Sequence, residues 1–170
     1  MRRRRALWGG LGVLAVAAGA GTALWRSRDE PDTSRLWSLR FPRPGGGELV
    51  LAEMRGKPLL LNFWATWCAP CVTEMPLLDR FHSEHRAAGW SVVGLAVDQE
   101  VPVREFVAQR SIHFPIGLAG TDGLELARGL GNSRGGLPFS VAFDGGGRPK
   151  ARKLGALDQE TLSAWAKSLG

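Results

Sequence analysis

The strongest pattern in the chain is a continuous apolar run, Pro58-Leu59-Leu60-Leu61-Asn62-Phe63-Trp64, which predicts a strand buried on both faces. Trp90 to Val97, ending at Asp98, predicts a second buried strand. Between them, Val72 to Ala87 has helical spacing, with Met75, Leu78, Phe81 and, less regularly, His85 along one side. Val103 to Arg110 predicts a short helix with Val103, Phe106 and Val107 inward, and Phe114 to Leu118 a third strand. Gly123 to Leu130 predicts a helical turn or two. Phe139 to Phe143 and Lys150 to Leu154 flank Asp144-Gly145-Gly146-Gly147-Arg148-Pro149, a hairpin turn. Asp158 is the expected cap of a closing amphipathic helix that runs to Leu169 with Leu162 and Trp165 apolar. Ahead of all this, Leu36 to Phe41 and Glu48 to Leu51 are separated by Pro42, Pro44 and three glycines, and predict a hairpin at the edge of a sheet. This alternation of strands and helices predicts one α/β domain with a mostly parallel central sheet.

The amino terminus reads differently. Four arginines, Arg2 to Arg5, precede Ala6 to Trp25, twenty residues without a charge. At about 1.5 Å per residue such a helix just spans a hydrocarbon core of about 30 Å. Trp8 and Trp25 bracket the run, and the arginines favour the cytoplasmic side. Eleven of the twenty residues are Ala or Gly, and Ala15-Val16-Ala17 or Ala18-Gly19-Ala20 offers a cleavage pattern, so a removed signal peptide is the rival to an uncleaved anchor. Either puts the rest of the chain outside the cytoplasm. The expected organisation is a signal-anchor over residues 1–25, a linker over 26–35 and a folded domain over 36–170.

Composition narrows the function. The net charge of +6 comes largely from the arginine tip; without it 18 basic residues face 16 acidic ones. No clustered basic face is visible elsewhere, so nucleic acid is not an expected partner. Two cysteines cannot build a disulfide framework or complete a four-ligand zinc site, and no resident metal or cofactor is expected.

Those two cysteines carry the chemistry. In Trp67-Cys68-Ala69-Pro70-Cys71 they stand two residues apart, where a buried strand gives way to a helix. There the unpaired N–H groups and positive end of the helix stabilise a Cys68 thiolate and make it nucleophilic near neutral pH. Cys71, one turn further in, can attack a mixed disulfide and release its substrate half. Covalent haem attachment needs His directly after Cys71, and Val72 stands there. A merely structural disulfide adds little, because the ring is so small.

Asn62-Phe63-Trp64-Ala65-Thr66-Trp67-Cys68-Ala69-Pro70-Cys71 resembles the active-site segment of the thioredoxin superfamily. The continuation Val72-Thr73-Glu74-Met75-Pro76 is similar to the membrane-anchored periplasmic reductases of the TlpA/ResA/DsbE type, as are Gly56-Lys57-Pro58 and Gly136-Leu137-Pro138. The resemblance covers about Leu36 to Gly170. It implies a thioredoxin-like fold with a central mixed sheet, an N-terminal hairpin extension and an inserted helix and strand, here Val103 to Leu118, preceded by one transmembrane helix. It also implies that Pro138 is a cis-proline facing the cysteines and leaves the Leu137 backbone to pair with an extended substrate. Trp67 either lies over the active site or only packs. Leu137 and Phe139 stand where many relatives have threonines, which makes the expected substrate groove more apolar.

Where cytoplasmic thioredoxins carry a buried aspartate, this chain has Asn62. Glu74, three residues after Cys71 on the same helical face, is the substitute candidate for the resolving thiol's proton. The alternative for Glu74 is an ordinary first-turn glutamate favoured by the helix dipole. The expected activity is thiol–disulfide exchange through Cys68 and Cys71. The resemblance implies reduction of specific disulfides in exported proteins, for example apocytochrome c, and rereduction by a membrane electron donor of the DsbD/CcdA type. Two other readings stand beside it. One is a copper-handling module using the cysteines, with His113 as a further ligand. The other is a thiol peroxidase of the same fold, although Cys68 lacks an upstream Pro-x-x-x-Thr-x-x-Cys setting.

Overall fold

The computed structural model describes residues 33–170. The predicted anchor and most of the predicted linker lie outside the described residues, among which no helix is long and apolar enough to cross a membrane.

The elements are β1 (Arg40–Pro42), β2 (Glu48–Val50), β3 (Leu59–Trp64), α1 (Ala69–His85), β4 (Ser91–Ala96), α2 (Glu100–Arg110), β5 (Ile116–Leu118), α3 (Asp122–Gly129), β6 (Phe139–Phe143), β7 (Pro149–Leu154) and α4 (Gln159–Leu169). Strands β3 to β7 form a five-stranded sheet in the order β5-β4-β3-β6-β7. Strand β3 runs parallel to β4, and β4 to β5, whereas β6 is antiparallel to both β3 and β7. The sheet is therefore mixed: β6 alone runs against the other four strands. The tight turn at residues 144–148 forces the reversal, because only antiparallel neighbours can be joined so briefly.

Every residue of β3, β4 and β6 is buried, as expected for central strands covered on both faces. Alternation sorts their side chains into two cores. Leu60, Trp64, Val92 and Ala96 pack with Met75, Leu78 and Phe81 of α1, Val103 of α2 and Leu162 of α4. Leu59, Leu61, Phe63, Val93, Leu95, Val141 and Phe143 pack on the other side with Trp37, Leu49, Leu51 and Ala127.

The N-terminal hairpin departs from expectation. Strands β1 and β2 form their own two-stranded sheet instead of extending the edge of the large one, and Leu36–Ser38 is a 3₁₀ turn. The hairpin lies across β5, where a Cβ on Gly117 would stand 2.8 Å from Phe41 Cβ and 2.9 Å from Leu49 Cδ2. Only glycine permits that approach. Strand β5 itself starts at Ile116 instead of Phe114, for Pro115 has no N–H to give a ladder. Its carbonyl instead accepts from Gly94 N at 2.9 Å.

Candidate active site

Helix α1 begins three residues earlier than its apolar periodicity suggests, because Cys68 is its N-cap: the Cys68 Sγ accepts from Cys71 N at 3.3 Å. Pro70, in the first turn, has no N–H to leave unpaired there. Cys68 and Cys71 are joined as a disulfide with their Cα atoms 5.2 Å apart. Cys68 is 6% exposed and Cys71 fully buried, so an approaching sulfur meets Cys68 first. Trp67 is 68% exposed and stands out beside the disulfide as a large apolar surface.

The loop ahead of the disulfide is tied down from β4. Asp98, just past that strand, accepts from both Thr66 N (2.9 Å) and Thr66 Oγ1. Opposite, the Leu137–Pro138 peptide is cis. Pro138 precedes β6, whose first residue Phe139 pairs with Phe63 near the C-terminal end of β3, so the proline and the cysteines share one end of the sheet. Leu137 packs against the core that contains Cys68 and Cys71. The Pro138 carbonyl accepts from Gly155 N at 2.8 Å.

Glu74 lies one turn after Cys71 on α1 and is 3% exposed. Oε1 accepts from Asn62 Nδ2 at 2.8 Å and Oε2 from Leu157 N at 2.6 Å. Burial drives its pKa from the ordinary 4.5 up to about 7, against the opposing pull of the Leu157 N–H, the Asn62 amide and the Lys153 charge. A carboxyl with that value gains and loses its proton near neutral pH, which is what a general base for a buried thiol requires.

Two partners of this carboxyl were not identified from the sequence. Asn62 marks more than a missing aspartate: its amide is the donor that holds Glu74, and its second hydrogen goes to Ser140 Oγ at 2.9 Å. The signal was present, since Asn62 and Ser140 each interrupt an otherwise apolar buried strand and so require polar partners. Leu157 contributes only a backbone N–H, for which its side chain gives no signal. His113 is not grouped with the cysteines. It precedes β5 at the opposite end of the sheet, where its Nδ1 lies 2.9 Å from Asp79 Oδ2. Among the described residues no group of three or more His, Cys, Asp or Glu side chains could hold a metal ion.

Residues 36–167 match the AhpC/TSA family. The thiol-disulfide oxidoreductase ResA of a Bacillus cereus strain is 30% identical over 126 residues, covering 73% of this chain and 70% of that protein. Its counterpart in Bacillus anthracis is 29% identical over 125 residues, with 73% and 70% covered. Among solved structures, a thiol:disulfide interchange protein of the thioredoxin family from Chlorobium tepidum superposes with a TM-score of 0.68 at 26% identity, over 78% of this chain and 92% of that one. StoA from Bacillus subtilis, at 23% identity, shares the fold with a TM-score of 0.60 over 75% of this chain and 94% of its own. With its paired cysteines at the head of a helix and this kinship, the chain belongs to the AhpC/TSA family of thioredoxin-like proteins and is a thiol–disulfide oxidoreductase.

Proposed function

We propose that the chain is a reductant of specific disulfides in exported proteins, apocytochrome c among the candidate substrates. In this reading residues 1–25 anchor it to the outer face of a bacterial cytoplasmic membrane, and a membrane electron donor of the DsbD/CcdA type returns it to the dithiol. The observation that carries the reading is the graded burial of the Cys68–Cys71 disulfide, with a buried Glu74 carboxyl one helical turn further on whose pKa burial pushes up to about 7. Ala69 and Pro70 place no cation between the cysteines to over-stabilise a thiolate, which favours a reducing poise.

In the forward reaction the Cys68 thiolate attacks one sulfur of a substrate disulfide, and the other sulfur leaves as a thiolate. Glu74 accepts the proton of the Cys71 thiol. Cys71 Sγ then attacks Cys68 Sγ, the mixed disulfide breaks, and the second substrate sulfur departs and is protonated. Two electrons pass to the substrate together with the one proton of the Cys71 thiol; the first substrate thiolate takes its proton from water, and the protein is left as the disulfide. Trp67, Leu137 and Pro138 border the place where the substrate strand lies in this reading.

The test uses single-cysteine variants and potentials. Cys71→Ser is expected to accumulate mixed disulfides through Cys68, and Cys68→Ser to trap none. Faster alkylation of Cys71 than Cys68 in the reduced protein would reverse the assignment. Equilibration with glutathione is expected to give a potential nearer about −270 mV than about −120 mV. A value at the oxidising end would reverse the direction of electron flow.

A further inference from the structure

Across the sheet, Asn62 of β3 stands opposite Ser140 of β6, and Ser140 opposite Lys153 of β7. Directly opposed residues on antiparallel strands share a face, so these three form one polar row, on the side covered by α1 and α4. Asn62 Nδ2 bonds both Glu74 and Ser140, so Lys153 is the next member of the row that holds the buried carboxyl, within reach for its charge to act on Glu74.

The ammonium is also fixed in place. Lys153 Nζ donates to Asp158 Oδ2 at 2.8 Å and to Thr161 Oγ1 at 3.0 Å. Asp158 directly follows Leu157, whose N–H holds the other Glu74 oxygen. At 28% exposure, the Lys153 side chain is the least exposed cation among the ion pairs of the described residues, the others ranging from 37% to 70%. An ion pair whose only use was stability would gain little here, because Asp158 is open to solvent. Its place in the row that holds a buried carboxyl gives it a different use.

We infer that Lys153 is a positioning residue for the reaction: its ammonium, pinned by Asp158 and Thr161 at the end of the polar row, holds a positive charge near the buried Glu74 carboxyl and favours release of its proton. The inference rests on the proton-accepting role proposed for Glu74. The groups that act on Glu74 are the Asn62 amide, the Leu157 N–H and Lys153, so Lys153 brings the only formal charge among them, itself paired with the solvent-facing carboxylate of Asp158. Remove it, and burial acts on the carboxyl with less opposition. Glu74 then keeps its proton to higher pH, and the base that serves Cys71 becomes available later on the pH scale.

The test compares full-length wild type, Lys153→Gln, Lys153→Arg and Glu74→Gln. Two quantities are followed against pH: the Glu74 carboxyl titration by ¹³C NMR in the disulfide form, and the rate of thiol release from a peptide disulfide. In wild type the carboxyl is expected to titrate at about 7. Lys153→Gln is expected to raise that midpoint by about 0.5 to 1 pH unit, which lowers release about 3- to 10-fold below it. Lys153→Arg keeps the charge and is expected to restore both. A Lys153→Gln protein with wild-type midpoint and release profile, while Glu74→Gln still slows release, would overturn the role of Lys153 and leave that of Glu74 standing. Wild-type release from Glu74→Gln across the pH range would overturn both.

Discussion

The two faces of β3 are built from alternate residues of one strand, yet they are different materials. The face made by Leu59, Leu61 and Phe63 meets the hairpin side of the molecule and is apolar throughout. The face made by Leu60, Asn62 and Trp64 meets α1 and α4 and carries, in mid-strand, an amide that donates to the Ser140 hydroxyl and to the Glu74 carboxyl. A buried polar group is costly unless it is hydrogen-bonded, and apolar groups of the same shape serve stability about as well, so a sheet selected for stability alone has no need of the second face. The polar seam lies on the face packed by the helix that carries the cysteines, where the proton-accepting role proposed for Glu74 would use it.

The largest effect should come from cutting into the apolar face far from the cysteines. Phe143 packs edge-on against Trp37, with ring centroids 5.4 Å apart, and pairs with Leu59 at the end of β3 remote from Cys68. Phe143→Ala is expected to lose about 3–5 kcal/mol of unfolding free energy in urea, as large-to-small changes of buried aromatics do. Its folded fraction should exchange disulfides at the wild-type rate. A matching loss of intrinsic rate would erase the division of labour between the faces.

A smaller effect, visible only through pH, belongs to the polar seam. Glu74 is raised in the folded protein to about 7 from 4.5, so between those values the folded state binds a proton that the unfolded chain has already released. Its favourable contribution is therefore complete below pH 4.5 and is lost as pH rises through 7. The loss is on the order of 3 kcal/mol. Urea titrations of the disulfide form should show that decline in wild type, and Glu74→Gln should flatten it. An equally steep decline in Glu74→Gln would move its origin elsewhere.

The smallest effect tests a single link in the seam. Ser140→Ala deprives one Asn62 amide hydrogen of its acceptor, at an expected cost of about 1–3 kcal/mol, toward the lower end if a water reaches the site. Thermal melts at fixed pH measure it. An increase in melting temperature would mean that the seam is no better satisfied with its hydroxyl than without.

Much of this arrangement was legible along the chain. The continuous apolar run of β3 and the cysteines after it are local signals, and the three-residue step from Cys71 to Glu74 follows from helical geometry. The helix start was harder to place, since Ala69-Pro70-Cys71 carries no apolar periodicity and the start is set by the Cys68 cap. What holds Glu74 was out of reach for a different reason. Leu157 is 83 residues away and speaks only through its backbone. Lys153 has the composition of any exposed strand residue until the register of β6 and β7 puts it in the row. The separate hairpin sheet escaped too, because side-chain alternation says that a strand has two faces and not which strands it pairs with.

The segment that follows β7 has one more consequence. Gly155 N reaches back to the cis-proline carbonyl and, two residues later, Leu157 N reaches the glutamate, before Asp158 starts α4. Surface connections usually tolerate insertions and drift in length over evolution. This one is held at two points, Gly155 N on the Pro138 carbonyl and Leu157 N on the Glu74 carboxyl, so one added residue would strain at least one of those bonds. Length variation among descendants of this chain should therefore accumulate in the turns at residues 43–47 and 144–148, while the connection from Gly155 to Asp158 keeps its length.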